Sequence, residues 1–474
     1  MLESKVKSIT VLLGALVVLL TACAPSAPVV NADEQVASAV AGTLAAQSGP
    51  TATSQAAPVV GEATPEQDVF GSCANTGQIS LAYTRDGNIW LWVEGGVKTQ
   101  LTNSGDAGDL RISQDGCRIA YARALPNPAY DPNAEFPTDP TFNELWVVSS
   151  DGSLNQQLAG AEFLASLPQP PDSGLTVYQF DWQPGTHVVA FNTEVLGFGL
   201  SPSDDIHLAN ANTLSVSTLL PAGQGGAFYF SPDGQQIAFS TSTTVNTINV
   251  DGSNLRPNLV SFPFVITYSE YAYYPPISWS PTSDTLMVAI PPEDGLAAPV
   301  NGVYPETALW WLPLDGTPPF QPGAVQNIWL ALSEVQFSPD NGRVAYLRPI
   351  GAPETNQREL VIALSDGSNE STVIQLPEIT FGDWSSDSSQ FIYYYRDPNL
   401  HFYLGNVGDP NVVPISTLTP FVAGGASIEW LEADTFVLLL VGSAGSELSI
   451  MQTSGAGMVV DTFAEPFVSF DLAH

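Results

Sequence analysis

Between Ile112 and Glu432 the chain returns seven times to one phrase: an apolar or aromatic pair, a small polar turn, then a short apolar run. The clearest copies run from Phe228 to Phe239, through Ser-Pro-Asp-Gly, and from Val335 to Tyr346. A period near fifty residues, made only of short strand-like runs, restricts the fold to radial or stacked arrays of one small sheet. Each period has the same internal order. An aromatic-led strand (Phe180–Trp182, Ile277–Trp279, Gly382–Trp384) is followed by a tight turn and an apolar run such as Val188–Phe191 or Leu286–Ala289. A third segment (Glu144–Val148, Thr247–Val250, Ala308–Trp311, Glu359–Ile362) then leads through Asp151-Gly152, Asp251-Gly252, Asp315-Gly316 or Asp366-Gly367 into a fourth strand. Asp-Gly corners favour tight antiparallel connections. Four antiparallel strands per period, repeated about an axis, predict an all-β fold, a β-propeller.

The ends set the blade count. Ile79–Tyr83 and Asn88–Trp92 read as second and third strands with no first strand before them, whereas Phe467–Asp471 carries the aromatic signature with no second strand after it. Pairing the two termini in one blade supplies both deficits and removes exposed sheet edges. Seven complete periods plus this composite blade give eight blades, and seven blades with one end packed aside is the alternative count. The repeated Trp182, Trp279, Trp384 and Trp430 read as packing between blades, and Asp233 and Gly234 as turn formers.

The Ser-Pro-Asp-Gly plus Ile-Ala-Phe phrase resembles the WD40-like repeats of TolB propellers and of prolyl oligopeptidase relatives. It is strong at Phe230–Phe239 and Phe337–Tyr346, and recognisable at Ile112–Tyr121, where Gln114 replaces the proline. The resemblance implies a propeller working at the cell envelope. The chain departs from TolB in that Ala24–Gln67 is too poor in strand signals to form the α/β domain that accompanies that protein.

Residues 1–22 read as a processing signal, with Lys5 and Lys7 before an apolar stretch from Ile9 to Leu20 and small residues at its end. The Leu20-Thr21-Ala22-Cys23 close resembles a bacterial lipoprotein signal, which implies Cys23 as the lipid anchor of an extracytoplasmic, membrane-attached protein of the bacterial cell envelope. Residues 23–68 read as a flexible Ala/Thr/Pro/Ser tether and residues 69–474 as a single propeller domain. Without the signal, 10 basic residues face 47 acidic ones, a formal charge of −37. That surface repels phosphate backbones, which excludes nucleic acid as a partner, and it repels anionic lipid, so attachment rests on Cys23. Cys73 and Cys117 are the remaining thiols and are expected to form a disulfide in an exported protein.

Long insertions gather on the face that receives the second-to-third-strand loops and the inter-blade connectors: Leu125–Phe142, Thr193–Asp205, Pro291–Glu306 and Ser261–Pro276. The last holds two phenylalanines and four tyrosines and no basic residue. The candidate binding surface is therefore Phe262, Phe264, Tyr268, Tyr271, Tyr273 and Tyr274, extended by Tyr130 and Tyr304. Rim packing of several of these rings is the competing reading.

No Gly-x-Ser-x-Gly elbow is present, Gly442–Ser446 has the wrong spacing, and the propeller pattern running to Phe470 leaves no segment for a hydrolase domain. His187, His207, His401 and His474 lack ligand spacing, and only His401 invites inspection for catalysis. No acidic loop resembles a calcium site, so no metal or other cofactor is expected. The sequence thus points to a non-catalytic envelope lipoprotein that binds a protein or glycan through its loop-rich face. The alternatives are an extracytoplasmic hydrolase or lyase with acidic residues on the rim, and a purely structural envelope domain.

Overall fold

The computed structural model describes Cys73 and residues 78–473, apart from 134–137, 171–172, 198–201, 269–270, 293–305, 327–334, 351–356, 398, 410, 419–424, 443–444 and 465–467. Eight four-stranded antiparallel sheets form a ring, which selects eight blades over seven. The first blade is composite: Phe470–Ala473 is its inner strand, followed outward by Ser80–Arg85, Asn88–Val93 and Val97–Gln100. Inner strands of blades 2 to 8 are Ala107–Ile112, Leu175–Trp182, Ala227–Phe230, Ile277–Trp279, Gln336–Phe337, Ile379–Trp384 and Ala426–Glu432.

The core is not one body but eight. Each junction between neighbouring blades holds its own buried apolar cluster, from Leu81, Tyr83, Leu448 and Leu472 at the 8–1 junction to Leu400, Phe402, Phe436 and Leu438 at the 7–8 junction. A single sheet has two apolar faces and nothing to bury them against, so only the ring satisfies them all; each fully buried Leu or Phe contributes about 1.5–3 kcal/mol. Trp182, Trp279, Trp384 and Trp430 lie in these junctions, 3–8% exposed. Three of them also donate the indole N–H to an inner-strand carbonyl of the preceding blade: Trp182 to Arg111 at 2.9 Å, Trp279 to Tyr229 at 3.0 Å and Trp384 to Gln336 at 3.2 Å.

The Ser-x-Asp signature builds the turn after the inner strand. Ser231 donates its hydroxyl to Asp233 at 2.6 Å and accepts the Gln236 N–H at 2.9 Å, and Ser338 and Ser385 repeat both bonds. Gly234 takes φ +67° there, and a Cβ would stand 2.7 Å from the Pro184 carbonyl oxygen of the neighbouring blade. Only glycine fits both demands.

Ring closure adds charge to packing. Asp461 of blade 8, whose side chain is 7% exposed, accepts bonds from Tyr83 Oη and Arg85 Nη1 of blade 1, each at 2.9 Å, with Lys98 Nζ 3.6 Å away. Cys73 and Cys117 are joined by a disulfide with their Cα atoms 5.4 Å apart, tying the segment before blade 1 to the first turn of blade 2.

One element departs from the all-strand expectation. The connector from blade 2 to blade 3 contains a six-residue helix, α1 (Ala161–Ser166). Its sequence holds no Gly or Pro, and buried Glu144 accepts the Ala161 N–H at 2.9 Å while also bonding Trp146 and Gln157. No helix among the described residues is long and apolar enough to cross a membrane.

Candidate functional site

Two regions carry chemistry: the loop-rich face and the central channel it opens into. The connector Ser261–Pro276 leaves the outer strand of blade 4 and folds into a small hairpin, Ile266–Tyr268 against Tyr271–Ala272. Its side chains divide between core and solvent. Phe262 is 8% exposed and joins the 4–5 junction cluster, and Val265 and Tyr273 bury against each other. Phe264 and Ile266 are 50% and 44% exposed. Phe262 and Tyr273 are therefore corrected from binding surface to rim packing: as the chain leaves the outer strand the Phe262 N–H bonds the Thr243 carbonyl at 2.9 Å and its ring enters the 4–5 junction, while the Tyr273 N–H bonds the Val265 carbonyl at 2.8 Å and its ring closes over Val265. Tyr274 is half-buried, and its hydroxyl donates to Asp204 at 3.0 Å, fastening the connector to the loop of blade 3. Tyr130, 39% exposed, stands in the loop of blade 2 on the same face. The side chains of Tyr268 and Tyr271, and all of Tyr304, lie outside the described residues.

Acids on this face are perturbed. Burial, reinforced by Asp205, raises Asp204 to about 6 despite the Tyr274 bond. Burial and then Asp139 raise Glu194 to about 6.

Deeper in the channel the inner strands bring together residues the sequence reading passed over. Asp471, Arg111, Asp181, Asp383 and Glu429 each stand one position from the residue that packs into a junction, so strand alternation turns them toward the axis. Asp471 Oδ2 accepts the Ile112 N–H at 2.7 Å, and Asp181 and Asp383 each accept the N–H of the following tryptophan at 2.8 Å. These side chains are partly exposed at the channel and otherwise enclosed by protein. Enclosure is the main reason that Asp383 and Asp471 rise to about 7 and Glu429 to about 8. Mutual repulsion adds to it: Glu429 feels Asp471 and Asp383, and Asp471 feels Asp181, while Arg111 opposes the shift of all but Asp383. A mouth of about 810 Å³, lined by Asp109, Arg111, Ser427 and Ser469 among others, leads from the loop-rich side down to Arg111.

His401 is not part of this group. It bonds the Asp397 carbonyl at 3.1 Å and stacks on Tyr395 at 5.0 Å, a hairpin-stabilising role. His207 is buried between Asp205 and Thr218, 3.0 Å from each, where it staples two strands of blade 3. Among the described residues no three His, Cys, Asp or Glu side chains are placed to hold a metal ion.

Solved structures similar to this one include dipeptidyl peptidase 4 of Porphyromonas gingivalis, 12% identical over 84% of this chain and 60% of that one, with a TM-score of 0.51. An oligogalacturonate lyase from Vibrio parahaemolyticus is 9% identical over 82% of this chain and 86% of its own, with a TM-score of 0.42. TolB of Acinetobacter baumannii is 12% identical over 76% and 83%, with a TM-score of 0.34. At these identities the likeness is one of fold. Enzymes and TolB stand side by side among them, so it does not divide catalysis from binding. No family model and no curated protein matches the chain.

Proposed function

We propose that this chain is a non-catalytic propeller, held at the bacterial envelope by lipid on Cys23, that binds a protein or glycan through its loop-rich face. The observation that carries this reading is the pair of exposed apolar side chains Phe264 and Ile266 on a hairpin fastened to the ring by Tyr274 and Asp204. Exposed rings on an anchored segment lose little freedom on docking, the condition under which an aromatic residue dominates an interface. The test is photo-crosslinking from a probe at Ile266 in intact cells, comparing the native chain with Phe264→Ala. Loss of a defined crosslinked partner in the variant supports the reading; the same partner at the same yield removes this face from the account. Replacement of Cys23 by Ala, followed by membrane fractionation, tests the anchor.

The channel carboxyls favour a second reading. Groups that keep a proton near neutral pH serve as general acids, and Glu429 with Asp383 and Asp471 supplies several within one enclosed space. Turnover of a polysaccharide by the native chain and its loss in Glu429→Gln would replace the binding reading with a lyase or hydrolase one.

A further inference from the structure

We infer that the face opposite the loops carries a second binding site, a polar cleft between blades 2 and 3 that takes a neutral saccharide. It lies among the short turns, encloses about 440 Å³, and is lined by Gln114, Asp115, Thr186, His187, Asn210 and Asn212. That volume falls within the range of small-molecule sites.

The cleft exists because the repeat is broken there. At the 3–4 junction Gly234 packs directly on the Pro184 carbonyl, and at the 4–5 and 6–7 junctions Asp233 and Asp340 donate their backbone N–H to Ser283 and Ser388 of the next turn. Blade 2 has Gln114 in place of the proline, and blade 3 has Gly185 in place of the turn aspartate, with His187 after it. The two turns are bridged by side chains, Gln114 Oε1 accepting the Gly185 N–H and Asp115 meeting His187, each at 3.0 Å, and space opens beside them.

The fold fixes which way each amide points. Asn212 Oδ1 accepts from Arg118 Nη2 at 3.3 Å, Asn210 Oδ1 accepts the backbone N–H groups of Asn212 and Thr213 at 2.9 and 3.2 Å, and the Gln114 oxygen is taken by Gly185. Each partner is a donor only, so the oxygens are assigned and the three NH2 groups remain for the cleft. Asp115 Oδ2 meets His187 Nε2 at 3.0 Å while its other oxygen takes Ser113 and the Cys117 N–H. The carboxylate can only accept, so the proton on Nε2 is fixed toward it and Nδ1 is left for the cleft.

Three fixed donors beside one carboxylate and one imidazole decide the ligand chemistry. A metal ion wants more anionic oxygen than a single carboxylate already engaged by histidine. An anion meets Asp115 and a strongly acidic protein. An apolar molecule strips water from the amides and returns nothing. Hydroxyl and ring oxygens accept from the amides, and hydroxyls donate to Asp115 and His187, so a neutral sugar satisfies the set.

The test uses the full chain and three neutral probes, maltotriose, cellotriose and triacetylchitotriose, at millimolar concentration, read by saturation-transfer NMR and calorimetry. Two variants address the cleft, His187→Ala and Asn212→Asp; the second keeps the Arg118 contact and replaces the NH2 donor with a charged acceptor. The expected result is binding of at least one trisaccharide, weakened at least tenfold by both variants and unchanged by Phe264→Ala on the other face. Binding of none of the three, or binding that survives both cleft variants, overturns the inference. Loss through Phe264→Ala alone also overturns it, while placing the glycan on the loop-rich face instead.

Discussion

Replacing Asp383 by Asn changes the pH dependence of stability more than stability itself. An ordinary aspartate loses its proton near 3.9 and Asp383 near about 7, and each pH unit of that gap is worth about 1.36 kcal/mol. Ionising Asp383 inside the folded channel therefore costs about 4 kcal/mol, reduced to about 2–4 by the water that reaches it. The sign follows from proton binding. Between pH 4 and pH 7 the native state holds a proton that the unfolded chain has released, so native stability falls as pH rises and the loss is complete above the folded pKa. Asn cannot ionise and escapes this loss. Its NH2 faces the Trp430 N–H that the carboxylate otherwise accepts, a fixed penalty of about 1–3 kcal/mol present at every pH. Urea unfolding of both proteins from pH 3.5 to 8.5 separates the two effects. The stability of the variant relative to the native chain should climb by about 2–4 kcal/mol between pH 4 and pH 8, with part of the gain coming from relief of Glu429. A difference that stays flat across that range refutes the claim that channel enclosure holds the proton on Asp383.

Three further outcomes are expected. Asp461→Ala leaves Arg85, Lys98 and Tyr83 without their shared carboxylate at the ring closure and should cost about 3–5 kcal/mol, seen as a lower urea midpoint. Cys117→Ser removes a cross-link over a sequence separation of 44 residues, for which chain entropy gives about 4 kcal/mol at most; calorimetry under non-reducing conditions should show a lower melting temperature, and added reductant should bring the native chain to the same value. Trp279→Phe loses the bond to the Tyr229 carbonyl and part of the 4–5 junction, about 2 kcal/mol in the unfolding free energy, with the far-ultraviolet spectrum unchanged.

The blades were legible because one constraint acts on every copy: a sheet with two apolar faces needs an aromatic at the same inner-strand position, so Trp182, Trp279 and Trp384 mark the period even where the turn is degraded. The closure was legible for a related reason, since an unmatched first strand at one end and an unmatched second strand at the other admit few pairings. Connectors carry no such repeated demand. Phe262 and Phe264 are two residues apart and chemically alike, and only the path of the chain after the outer strand of blade 4 puts one in a junction and the other in solvent. Helix α1 was hidden in a connector because its cap, Glu144, comes from a strand of the preceding blade. The channel acids had a readable signal: the residue before each junction tryptophan must face the axis, and Asp181, Asp383 and Glu429 occupy that place in the sequence. Attention to the aromatic partner concealed the acid beside it.

At three of the eight junctions an indole bond ties one blade to the inner strand of the blade before it, so there the width of the bore rests on a tryptophan. At those junctions neighbouring inner strands stand at a spacing gauged by a rigid bicyclic ring, as a washer gauges two plates. The rim can therefore gain or lose whole segments without altering the diameter at which the carboxyl groups face one another, so recognition outside and proton chemistry inside are free to change independently.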